Sequence, residues 1–96
     1  MGKDLAFSAL LDVYGRFLSD KQRNLAEHYY NEDLSLSEIA ENEGITRQGV
    51  SDFVKRGEAQ LTEFEEKLGL IGTVKALKSA AANNNTKEIL NIIDKL

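Results

Sequence analysis

The stretch from Ser35 to Val50 constrains the fold of this chain more than any other. Ser35 followed three residues later by Glu38 is the capping-box spacing that opens a helix. Leu36, Ile39 and Ala40 give that helix an apolar face, and the small Ala40 permits close approach of a neighbour. The helix should stop near Glu43, because Gly44 supplies the left-handed conformation at which helices commonly end. Ile45 is placed to plug the angle between two helices, Thr46 caps the second, and Val50 anchors it from within. Two helices joined by a tight glycine turn form a helix-turn-helix, here spanning residues 35–56. In DNA-binding versions the N-terminal residues of the second helix enter a major groove.

Around this core the chain reads as helical throughout. It contains no proline, so nothing forces a helix to break. Phe7, Leu10, Leu11, Tyr14, Phe17 and Leu18 recur at three- and four-residue spacing and predict a first helix over Leu5–Leu18. Ser19 and Gln22 repeat the capping-box spacing and start a second helix that runs to about Asn31, with Leu25, Ala26 and Tyr29 inward. The helix after Thr46 extends from Arg47 to about Leu68, some 33 Å at 1.5 Å per residue. Along it Val50, Val54, Gly57, Leu61, Phe64 and Leu68 form a heptad-like seam. The half beyond Gly57 is longer than a recognition helix needs and must bury its stripe. Gly69 and Gly72 mark a break. Val74, Leu77 and Ala81 then suggest a fifth helix, closed by Asn83-Asn84-Asn85, and Thr86 caps a last one carrying Ile89, Leu90, Ile93 and Leu96. The expected fold class is all-α, with residues 1–96 as one helical domain, a helix-turn-helix core at 35–56, and a dimerisation and C-terminal helical part at 57–96.

Residue types exclude several kinds of chemistry. With no cysteine and one histidine, His28, the chain cannot build thiolate or multi-histidine metal sites, disulfides or a His-paired nucleophile. No apolar run approaches the ~18 residues that span a bilayer. Met1-Gly2-Lys3-Asp4 lacks a signal-peptide layout, and Gly2 fails the myristoylation pattern because position 6 is Ala6. The acidic pairs Glu41/Glu43 and Glu65/Glu66 do not converge on one compact site, and His28 reads as a polar surface or half-buried residue. A soluble, cytoplasmic, non-enzymatic protein without cofactor or metal is expected.

The candidate binding surface lies on the long helix. In a major-groove docking Arg47, Gln48, Ser51 and Asp52 would face bases, while Lys55 and Arg56 would reach phosphates. Arginine reads guanine and glutamine reads adenine bidentately in the major groove. Asp52 opposes this, since a carboxylate close to the backbone is repelled, and Gly49 offers no side chain. Net charge is −4, distributed as −5 over residues 1–45, −1 over 46–68 and +2 over 69–96. Duplex binders normally carry a basic footprint, which this chain lacks overall. Arg47, Lys55 and Arg56 could equally pair with Glu43, Asp52 and Glu58 on a solvated face. A transcription factor reading a duplex as a dimer, and a structural module using only its apolar seam, remain as competing readings.

With these residues in hand, the chain resembles the YlxM family of small bacterial proteins, which are similar to sigma-factor region 4 and associated with the signal recognition particle. The resemblance rests on Leu10-Leu11-Asp12-Val13-Tyr14-Gly15-Arg16-Phe17-Leu18, Ser19-Asp20-Lys21-Gln22, Tyr29-Tyr30, Asp33 to Ala40, Thr46 to Val50, and Lys55-Arg56-Gly57-Glu58. It covers roughly residues 5–70. It implies a sigma region 4-like helix-turn-helix with an added N-terminal helix, a long fourth helix and C-terminal helices. It further implies a regulatory or accessory role near the particle's RNA or GTPase, and a homodimer built partly from the N-terminal and long helices. On that reading Phe7, Leu11, Tyr14, Leu61, Phe64 and Leu68 form the dimer interface. The chain departs from sigma region 4 at Gly49, Asp52 and Gly57, which counts against promoter-type reading.

Overall fold

The computed structural model describes residues 3–96, so the expectations resting on Met1 and Gly2 lie outside the described residues. Six α-helices follow one another: α1 (Leu5–Tyr14), α2 (Asp20–Tyr30), α3 (Leu36–Glu43), α4 (Arg47–Leu68), α5 (Leu70–Ala82) and α6 (Thr86–Asp94). There is no strand among the described residues.

The expected caps on α2, α3 and α4 are formed. Ser19 accepts from the Gln22 amide at 3.2 Å. Ser35 and Glu38 satisfy one another's backbone amides at 3.0 Å each way. Thr46 accepts from the Gly49 amide at 2.9 Å, and Gly44 sits in the left-handed region at φ 68°. Glycine tolerates that angle because it has no Cβ to meet the following carbonyl.

Three boundaries differ from expectation. The first α-helix ends at Tyr14, and residues Gly15–Phe17 tighten into a 3-10 turn before Leu18 becomes extended. A Cβ at Gly15 would approach Leu11 Cδ1 to 3.2 Å, so Leu11 packs closely onto this turn. The break after α4 is the single residue Gly69, at φ 62°, and Gly72 continues α5. The cap of α6 is Asn85, whose side chain accepts from the Glu88 amide at 3.0 Å; Thr86 is the first helical residue.

Two apolar clusters lie along α4, which packs against α1, α2 and α3. The first joins Leu25 of α2, Ile39 and Ala40 of α3, and Val50 and Val54 of α4. It fixes the helix-turn-helix. The second joins Leu11 and Tyr14 of α1, Leu18, Ala26 of α2 and Leu61 of α4, with Phe64 and Ile71 against it. The heptad-like seam is therefore covered by the chain's own helices as far as Phe64. Of the six residues expected at a dimer interface, Leu11, Tyr14 and Leu61 are buried in the core of the single chain. Phe7 and Phe64 are half-buried, and Leu68 alone of the six is exposed. The physical reason is that α1 folds back across the second half of α4 and covers its apolar stripe.

A polar junction ties α5 to this body. The Glu65 carboxylate accepts from the amides of Ile71 at 3.1 Å and Gly72 at 3.2 Å. The Tyr14 hydroxyl donates to Glu65 and accepts from the Leu70 amide at 3.0 Å. Three amides at the start of α5 are thus satisfied without a side-chain N-cap, which Gly69 cannot supply. The far end of α2 is held by Lys3. Its ammonium donates to the Tyr29 and Leu34 carbonyls at 2.7 and 2.5 Å, lies 3.8 Å from the Tyr29 ring centroid, and pairs with Asp33 at 3.4 Å.

Candidate nucleic-acid interface

With Val50, Val54, Gly57 and Leu61 turned inward, the 100° step per residue aims Gln48, Asp52, Lys55 and Arg56 away from the core. All four are exposed, as is Arg47 at the helix start. Ser51 is half-buried and lines a shallow cleft with Tyr29, Leu36, Val54, Lys55 and Glu58. The fold therefore brings Gln48, Lys55 and Arg56 onto one outward face with Asp52 in its middle, sets Arg47 at its rim, and withdraws Ser51 to the side.

Local contacts on this face bear directly on base reading. The Gln48 side-chain amide donates to Asp52 at 3.0 Å, one helical turn on. A glutamine reads adenine by donating and accepting at once, and here its donor is held by the neighbouring carboxylate. The Gly49 position has its own reason: a Cβ there would lie 3.1 Å from Thr46 Oγ1, crowding the oxygen that caps α4.

The cations behave differently. Arg56 lies with its guanidinium carbon 4.8 Å from the Phe53 ring centroid, and its Nε reaches the Asp52 carbonyl at 3.4 Å. Lys21, from α2, stands 4.8 Å from the same ring. Among the described residues the ion pairs are Lys3–Asp33, Arg23–Glu27, His28–Glu32 and Lys67–Glu63. Arg47, Lys55, Arg56 and Lys21 are in none of them, so the alternative in which the first three pair with Glu43, Asp52 and Glu58 does not form among the described residues. Glu58 instead turns toward Tyr30, which donates to it. Burial, and then the charge of Asp4, push its carboxyl above the usual carboxylate range.

Lys21 and Phe53 are the site residues that sequence reading missed. No helical spacing connects position 21 to position 53, because the contact arises from α2 lying across α4. Only the placement of Lys21 in the first turn of a capped helix was visible beforehand. Neither acidic pair gathers a cation site: no group of three or more metal-ligating side chains occurs among the described residues. His28 is half-buried and bonded to Glu32. Among the described residues no helix is long and apolar enough to cross a membrane.

Comparison with known proteins bears on the whole chain. Residues 1–95 match the family model of UPF0122, described as helix-turn-helix proteins, YlxM / p13 like. A UPF0122 protein of Clostridium kluyveri is 43% identical over 96 residues, covering 100% of this chain and 82% of the relative. One from Desulforamulus reducens is 46% identical over 85 residues, covering 88% of this chain and 68% of the relative. One from a Thermoanaerobacter species is 45% identical over 97 residues, covering 100% and 73%. The similarity thus continues through α5 and α6, beyond the 5–70 span on which the resemblance first rested. An all-α chain whose capped α3, left-handed Gly44 and capped α4 form a helix-turn-helix, and whose residues 1–95 match the family model, belongs to the UPF0122 family.

Proposed function

We propose that this protein is a non-enzymatic helix-turn-helix accessory factor of the signal recognition particle pathway, acting in the cytoplasm on the particle's RNA or on its GTPase. The observation that carries the RNA reading is the contrast on α4: the base-reading amide of Gln48 is engaged by Asp52, while Arg47, Lys55 and Arg56 have no carboxylate partner among the described residues. Such a face suits contact with a phosphate backbone better than discrimination between base edges. Double-stranded RNA is recognised largely through its shape, phosphates and 2′-hydroxyls, so a helix with free cations and few readers fits that substrate. The acidic body would limit affinity and keep it dependent on salt.

The same proposal has the protein working as a homodimer. With Leu11, Tyr14 and Leu61 occupied in the monomer, the exposed large apolar residues are Leu5 and Phe17 near the N-terminal helix and Leu68, Leu70, Val74, Leu90, Ile93 and Leu96 on the end of α4 and the α5–α6 arm, and the larger group is the surface offered to a second copy.

Purified protein should bind the particle's RNA at moderate salt, with affinity falling as salt rises. Pull-down from cytosol with and without nuclease separates RNA-bridged capture from direct binding of the GTPase. A folded protein that takes up neither component would sink this reading. If an unbiased selection of duplex DNA returned one enriched site, a transcription factor reading through Arg47 and Gln48 would replace it.

A further inference from the structure

We infer that Lys21 and Arg56, gathered over the Phe53 ring, form a second phosphodiester-binding subsite that extends the nucleic-acid surface of α4 onto α2. This deepens the RNA reading above and rests on it. Both cationic groups lie 4.8 Å from the same ring centroid, so they stand no further apart than twice that distance. They come from α2 and α4, whose mutual packing is set by the buried Leu25, Val50 and Val54. Phe53 is itself half-buried against that cluster and offers a fixed platform. Cation–ring attraction orients both side chains, yet it holds two like charges within about 10 Å of each other, and among the described residues neither is within 4 Å of a carboxylate. A bound anion removes that repulsion. The nearest acidic neighbours in sequence are Asp20, in the first turn of α2, Glu58, which accepts from Tyr30, and Asp52, which accepts from Gln48.

The ligand chemistry is a sugar–phosphate backbone rather than a base, because what the subsite presents is two cationic groups against a half-buried ring. Lys55 and Arg47 contact one stretch of backbone from the outward face of α4. Lys21 and Arg56 take a second stretch at the junction with α2.

The test uses the full chain, a fluorescein-labelled hairpin of the particle's RNA, and a DNA duplex of matching stem sequence, titrated by anisotropy over a range of salt. Lys21→Gln should weaken RNA binding roughly five- to tenfold at ~0.1 M salt and lower the slope of log K against log salt by about one. Lys21→Arg should restore both. Inorganic phosphate at the same ionic strength should not displace the RNA, and displacement would point to a small-anion site instead. The subsite is refuted if Lys21→Gln keeps wild-type affinity and slope while Lys55→Gln loses them; the RNA reading then survives without it. Wild-type protein that binds no RNA refutes both. Tighter binding to the DNA duplex than to the RNA overturns RNA as the ligand. Far-ultraviolet circular dichroism of each variant confirms that helix content is retained.

Discussion

Glu65 does more for the arrangement of this molecule than its place in a run of acidic residues suggests. It accepts from Tyr14 and from two amides of α5, and these bonds hold its carboxyl below the usual carboxylate range, the Tyr14 hydroxyl contributing most. Burial, and then the bond to Glu65, raise the Tyr14 phenol. A carboxyl whose pKa is lower in the folded state stabilises the fold above its unfolded value, about 4.3, and that contribution disappears as pH falls through the folded value. Glu65→Gln should therefore lower the melting temperature at neutral pH. The gap to wild type should narrow below the carboxylate range; a gap independent of pH would show that the charge is immaterial. At Gly57 the expected effect has the opposite sign. The position is buried, yet a Cβ there would meet nothing within 4 Å. Gly57→Ala should stabilise the protein by roughly 0.5–1 kcal/mol through reduced backbone freedom in the unfolded chain, read from urea denaturation.

At the scale of elements, α4 serves two purposes along one unbroken 22-residue helix. Its first half packs on α2 and α3, and its second half on α1 and α2. A heptad-like spacing of apolar residues signalled that the helix has one face to bury, and periodicity carries no information about whose surface buries it. The turn before α4 is more local in its demands. Gly44 holds φ 68° with open space around it, so only backbone strain opposes a side chain there. Gly44→Ala should cost about 1–2 kcal/mol, whereas Gly57→Ala, with no such strain, should not. Equal stability of Gly44→Ala and wild type in denaturant would mean that the turn adopts another conformation.

The molecule as a whole is elongated. Its radius of gyration is 16.7 Å and its principal extents are 53 × 24 × 17 Å, against roughly 12–13 Å expected for a compact chain of this length. The cause lies in α5 and α6, which pack mainly on each other. Together they bury one residue, Ala80, and leave Leu90, Ile93 and Leu96 exposed. An arm with so little core of its own gains stability if a second copy covers it. The proposed dimer then predicts different outcomes for two charges placed on apolar sites. Ile93→Asp should shift the sedimentation coefficient to that of a monomer while the helix content of the body persists. Leu61→Asp, placing an unpaired charge in the core, should unfold the protein. A dimer that survives Ile93→Asp would place its interface elsewhere.

The residues of the helix-turn-helix were legible because their instructions are local. Capping boxes, a left-handed glycine and helical spacing act within a few residues and need no knowledge of the rest of the chain. The sequence by itself therefore determined the all-α class, the caps of α2, α3 and α4, the Gly44 turn and the outward cations of α4. Tertiary structure decided what those helices touch. It put α1 on the α4 seam, shortened the first helix around Gly15, and set Glu65 under the start of α5. It also brought Lys21 to the Phe53 ring beside Arg56. Each of these depends on contacts between residues far apart in sequence, where packing of whole helices selects one arrangement among the several that the same periodicities allow.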